Sequence, residues 1–273
     1  MATLGQIIFY SMITLIVVFS ALIILILALT FSGSLSEVMS SNKAPIANIG
    51  EDKLLSCYLK TQSEKPRVSQ VSVTWTKKGL QGLVYRYEDG APDLKDQNSQ
   101  FRGRTELFPD TLVTGNASLL MRNVRRSDEG EYTCSISSSD GGGKVNIHLR
   151  TAAFSAPKFT FSNGALVAEA NRWLPKPNVT WLNPDGDVLQ GNTSFSQSSA
   201  GIYSVVSVLQ PVNISSAYTC RIENDLVISV STATVTGSGV SENTYFTYSA
   251  ASSLLASAYL SITTSVFCIY YLT

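Results

Sequence analysis

The stretch Asp128-Glu129-Gly130-Glu131-Tyr132-Thr133-Cys134 constrains this chain more than any other. Asp and Gly in close succession shape a tight turn. A tyrosine next but one to a cysteine then puts both side chains on one face of a strand, because strand side chains alternate. Cys57 stands 77 residues upstream of Cys134. Trp75 lies between them, at the end of the alternating run Val71, Val73, Trp75.

Cys, Trp and Tyr-x-Cys in this order resemble an immunoglobulin domain. The resemblance implies a Cys57–Cys134 bond between two sheets, Trp75 packed on it, and Tyr132 folded back on the backbone of the turn. Leu55, Cys57 and Leu59 alternate inward, as a strand beside that bond requires. The long span between the cysteines leaves room for two extra strands, one over Leu83–Tyr87 and a short one before Gln100. That argues for a variable-type domain. In such domains an Arg opening the strand after these two extra ones pairs with the Asp of the corner. Arg104 is the expected partner of Asp128, with Arg102 as the alternative. Leu119, Met121 and Val124 supply one more buried face. Ser138–Lys144, with three glycines, reads as the loop between the last two strands.

A second domain follows Pro157. Phe159 and Phe161 alternate, Asn178–Trp181 supplies a strand with its tryptophan, and Tyr218-Thr219-Cys220 repeats the earlier motif. The shorter span fits a constant-type domain. Ala168 occupies the place where a partner for Cys220 belongs, so Cys220 is expected as a buried free thiol, or else in a bond between chains. The last cysteine, Cys268, lies in a C-terminal apolar run. The expected fold class is therefore all-β: two tandem immunoglobulin-like sandwiches, variable-type over 45–150 and constant-type over 156–237. Trp181 and Tyr218 are the second domain's structural counterparts of Trp75 and Tyr132.

Both ends of the chain are apolar. Residues 1–33 read as a signal peptide, with a retained signal anchor as the alternative; no charged residue occurs before Glu37. Residues 238–253 read as a stalk. Residues 254–272 read as a transmembrane helix or a glycolipid-anchor signal. Either places the protein on the outer face of the plasma membrane. Four Asn-x-Ser/Thr sequons, at Asn116, Asn178, Asn192 and Asn213, are expected to carry sugars in an exported chain.

Other chemistries find little footing. Net charge is zero and charged residues make up 15%, so no basic field points to nucleic acid. The single histidine, His148, sits among alternating Val145, Ile147 and Leu149 as an outward strand residue. No nucleophile–His–acid set can be assembled around it. No metal site, cofactor or small-molecule substrate is expected.

An exported variable-type domain, a constant-type domain and a membrane anchor resemble the co-stimulatory and co-inhibitory ligands of T cells, the B-seven and butyrophilin-like group. The segments that carry this are Met1–Ile7, Asn48–Asp52, Phe101–Thr105, Gly115–Leu119, Val205–Leu209 and Cys220–Asp225. The resemblance implies a ligand that engages a T-cell surface receptor and dampens activation, proliferation and cytokine output. It also implies contact through the front sheet of the variable domain. By position the candidates are Thr74, Thr76, Tyr85, Tyr87, Thr133, Ser135, Ser137, Asp140 and Lys144. A cell-adhesion molecule using the same sheet is the alternative. The chain departs from the group at Ala168, and it carries no charged residue after its terminal apolar run.

Overall fold

The computed structural model describes residues 4–31, 37–60, 70–139, 141–237 and 239–249. The first element, α1 (Leu4–Phe31), carries no charge, and its window Phe9–Ile26 is apolar enough to cross a membrane. None of that window is buried against the rest of the chain. It fits a signal sequence or an anchor. The C-terminal apolar run and Cys268 lie outside the described residues.

The first sandwich comprises β1 (Glu37–Met39), β2 (Ile46–Asn48), β3 (Lys53–Leu55), β4 (Tyr58–Lys60), β5 (Ser72–Lys77), β6 (Tyr85–Glu88), β7 (Ala91–Pro92), β8 (Thr105–Glu106), the single turn α2 (Pro109–Leu112), β9 (Leu119–Met121), β10 (Gly130–Ser138) and β11 (Gly141–Ala152). Its front sheet has the order β2-β11-β10-β5-β6-β7, and β3-β9-β8 forms the back. Strands β6 and β7 are the two extra strands of a variable-type domain. The core is the alternate set of each strand: Leu55, Cys57 and Leu59; Val73 and Trp75; Leu119 and Met121; Tyr132, Cys134 and Ile136. Burial of these side chains is the main stabilising term, at about 1.5–3 kcal/mol for each large apolar one.

The domain begins earlier than residue 45, because β1 already pairs with β4, from Glu37 opposite Lys60 to Met39 opposite Tyr58. The stretch read as a long glycine loop is also corrected. β10 and β11 pair continuously from Gly130–Leu149 to Ser138–Gly141, so Gly141, Gly142, Gly143 and Lys144 are strand residues. A Cβ on Gly142 would sit 2.3 Å from the Ile136 carbonyl oxygen. Glycine here serves close approach of backbones, not loop mobility.

The second sandwich comprises β12 (Lys158–Ser162), β13 (Ala165–Trp173), β14 (Asn178–Leu182), β15 (Val188–Leu189), β16 (Asn192–Gln197), β17 (Tyr203–Leu209), β18 (Ala217–Glu223), β19 (Val227–Thr236) and β20 (Gly239–Tyr248). Its sheets are β12-β13-β17-β16 and β15-β14-β18-β19-β20. Trp173, Trp181, Leu166, Ile222 and Cys220 lie at its centre.

Strand β20 overturns the reading of 238–253 as a stalk. It pairs antiparallel with β19 from Gly239–Thr236 to Tyr248–Val227. Val240 and Phe246 pack against the second core. The Glu242 carboxylate accepts from the Phe159 N–H at 3.1 Å, and Thr244 donates to Ser231 Oγ at 2.8 Å. These ties hold the strand although its sequence is mostly polar.

The two sandwiches meet without a free linker. Ala153 exchanges two backbone hydrogen bonds with Leu174. The Asn48 amide bonds both the N–H and the carbonyl of Phe154, and Arg172 donates to the Ile49 carbonyl. Ile46 of β2 is buried in the second core. Phe154 in turn packs on Phe246, tilted, and on Tyr248 of β20, edge to face, with ring centroids 5.1 and 5.8 Å apart.

Candidate functional site

The corner before β10 fixes the front sheet. The Arg104 guanidinium grips both carboxylate oxygens of Asp128, at 2.8 and 2.9 Å. Asp128 is fully buried and also accepts from the Arg125 N–H. Arg104 spends its remaining donors on the carbonyls of Gln100, Arg122 and Asn123. A buried pair of this kind holds because every polar atom is used. The hydrogen bond to Asp128 raises the guanidinium's pKa further. The Tyr132 hydroxyl donates to the Asp128 carbonyl at 2.6 Å, and burial raises its pKa well above the usual phenol range. Cys57 and Cys134 are joined, with Cα atoms 6.5 Å apart. The Trp75 indole packs in the same core and donates to the Ala117 carbonyl.

This frame presents the outward residues of β11, β10, β5 and β6 in rows. Register sets Asn146, Thr133 and Thr76 in one row. Lys144, Ser135, Thr74 and Arg86 form the next, and Gly142, Ser137 and Ser72 the third. The surface is hydroxyl-rich and low in relief. A shallow hollow of about 280 Å³ lies over its distal part, lined among others by Ser72, Thr74, Ser135, Ser137, Gly142 and Lys144. Lys144 is exposed and has no ion-pair partner among the described residues. Arg86 is held by Asp93 at 2.7 Å and Asp96 at 3.1 Å.

Six of the sequence-derived candidates, Thr74, Thr76, Thr133, Ser135, Ser137 and Lys144, share this face. Tyr85 and Tyr87 do not. Tyr85 pairs with Trp75 and Tyr87 with Val73, both inward residues. Tyr85 is only 6% exposed, and Tyr87 packs against the same core. In a strand a slip of one residue exchanges the two faces, so the outward residues of β6 are Arg86 and Glu88. Asp140 lies outside the described residues. Arg86, Asn146 and Ser72 were missed. Only register identifies the first, whereas alternation from Val145 finds Asn146 and alternation from Val73 finds Ser72.

All four sequon asparagines are exposed. Asn116 bridges to Tyr58 behind the front sheet, and its side-chain oxygen accepts from the Ser118 hydroxyl of its own sequon. In the second sandwich Ala168 and Cys220 share one buried core, and Cys220 is a free thiol. Burial pushes that thiol up to about 12. Trp181 donates to Ser207 Oγ at 2.8 Å, and the Tyr218 hydroxyl accepts from the Asn213 N–H. Among the described residues no cluster of three or more His, Cys, Asp or Glu side chains could hold a metal.

The chain is similar to known proteins over most of its length. The immunoglobulin V-set domain family matches residues 41–150. V-set domain-containing T-cell activation inhibitor 1 of Rattus norvegicus is 40% identical over 252 residues, covering 88% of this chain and 87% of the relative. The Homo sapiens protein of the same name is 38% identical over 257 residues, covering 90% and 89%. The chain belongs to the V-set domain-containing T-cell activation inhibitor 1 family. Butyrophilin-like protein 2 of Homo sapiens is more distant, 29% identical over 68% of this chain and 40% of its own length. The T-cell activation inhibitor relatives match nearly end to end, and the V-set match falls on the sandwich that carries the front sheet.

Proposed function

We propose that this chain is a cell-surface ligand that engages a T-cell surface receptor through the β11-β10-β5-β6 face and lowers T-cell activation, proliferation and cytokine production. The observation that carries the reading is 38–40% identity, over 88–90% of the chain, with relatives named as T-cell activation inhibitors. An exposed face rich in hydroxyls, with a Lys144 that has no ion-pair partner among the described residues, supports the choice of surface. Its cost of ordering on binding is small, because Ser and Thr lose less rotamer freedom than long side chains. The membrane reading rests on the two apolar ends of the sequence.

The test uses a fragment running to Ser249, so that β20 stays whole, fused to a dimerising tag. Binding to resting and activated T cells and suppression of antibody-triggered proliferation are the expected results. Ser135→Arg should cut binding by at least tenfold while leaving the melting curve unchanged. Binding with increased proliferation would reverse the sign of the activity. Absence of T-cell binding, together with clustering of cells that display the chain, would replace this reading with adhesion.

A further inference from the structure

In the second sandwich β12, β14 and β19 lead away from the joint with the first, and β13 and β18 return to it. β20 also returns. Its last residue, Tyr248, pairs with Val227 at the joint end of β19. Beyond it, the Ser249 N–H donates to the Leu226 carbonyl, and Arg150 bonds the carbonyls of both Ser249 and Ala44. The described chain thus ends at the waist between the sandwiches. The far tip of the second lies about 30 Å away, the length of a ten-residue strand.

Four residues, 250–253, separate this point from the apolar run starting at Leu254. Fully extended they reach at most about 14 Å. No charged residue follows Glu242. Tyr245 and Tyr248 are 56% and 54% exposed on this edge strand. Tyrosine is a residue of the membrane–water interface, where its ring meets lipid and its hydroxyl meets water.

We propose that the joint end of β20, with Tyr245 and Tyr248, rests on the outer leaflet of the bilayer, so that the protein lies edge-on along the membrane instead of standing on the tip of its second sandwich. The inference depends on the C-terminal run being the anchor. The short tether, the uncharged strand end and a half-exposed tyrosine ring on each side of the edge select the lipid surface as occupant of this edge.

The native tryptophans, Trp75, Trp173 and Trp181, are all buried and shielded from quencher, so quenching beyond that of the unsubstituted chain is assigned to the introduced surface tryptophan. The full chain carrying Tyr248→Trp is reconstituted in phosphatidylcholine vesicles with brominated acyl chains. Val188→Trp, at an exposed site near the far tip, is the paired reporter. The proposal expects at least half of the Tyr248→Trp emission to be quenched and that of Val188→Trp to be spared. The reverse pattern would overturn it in favour of an upright posture. Flotation separates the two layers of the argument. A chain that fails to float with the vesicles removes the anchor and the proposal together. A chain that floats with both reporters bright removes the resting edge alone. Without lipid, Tyr248→Trp should be open to iodide. If it is instead shielded in a dimer of the fragment ending at Ser249, the edge belongs to a second copy.

Discussion

The two sandwiches share one plan and are secured differently. The first has a covalent bond between its sheets, a buried Arg104–Asp128 pair and a tyrosine that closes the corner between them. The second has Ala168 and a free Cys220 where the bond would be, and its tyrosine accepts a hydrogen bond instead of donating one. What it has in exchange is two fully buried tryptophans, hydroxyl partners such as Ser207 for Trp181, and the extra strand β20. The comparison shows that alternation and shape suffice to specify the sandwich, whereas the bond adds stability on top. The second sandwich is therefore expected to melt first in a calorimetric scan; a scan with the order reversed would break the comparison at its root.

The largest effect is expected at the corner. Arg104→Ala leaves the Asp128 carboxylate buried without its partner and should destabilise the first sandwich by about 3–5 kcal/mol. Chemical denaturation followed by Trp75 fluorescence would read it, and a change below about 1 kcal/mol would mean that the corner relaxes to admit water. Replacing Cys57 and Cys134 together by Ala should cost about 2–5 kcal/mol. It would bring the first sandwich down toward the second and could invert the melting order.

The opposite substitution sharpens the comparison. Ala168→Cys offers Cys220 a partner from the facing sheet and should raise the second transition by about 2–4 kcal/mol once oxidised. The gain should vanish in reductant. Failure to form the bond would show that the two backbones sit too far apart for one.

The smallest effect comes from pH. The folded Cys220 thiol titrates near 12, above its ordinary value of 9.0. The folded state holds this proton more tightly than the unfolded state. The stabilisation is thus complete below about pH 9 and is lost as pH rises toward 12; in a scan taken only to pH 10 the loss is about 1 kcal/mol. The second transition should fall accordingly in alkaline scans, and Cys220→Ala should flatten the slope.

Much of this was legible in the chain. Cys57, Trp75, Tyr132 and Cys134 announced the first sandwich because each has one place to go in it. Arg104 and Asp128 were legible for the same reason. Three features were not. The parity of β6 depends on register with β5, and Leu83–Tyr87 alternates too weakly to show whether its tyrosines or Arg86 face out. Gly141–Gly143 look like a loop by composition, yet they keep strand pairing because bare backbones can approach closely. Gly239–Tyr248 has few apolar residues, since an edge strand buries little, and only its pairing with β19 reveals it. The face of the candidate site was legible on β5, β10 and β11, where inward residues are unmistakable, and illegible on β6.

The Cys57–Cys134 bond has one more consequence, which concerns tension. In the proposed ligand, tension between two cells would enter through the face of the first sandwich and leave through the C-terminal anchor. The bond encloses a loop with a sequence separation of 77, which conceals roughly 250 Å of chain from any stretching force. The second sandwich has no such lock among the described residues. Under that tension the second sandwich is free to extend throughout, whereas the first can lengthen only outside its bonded loop.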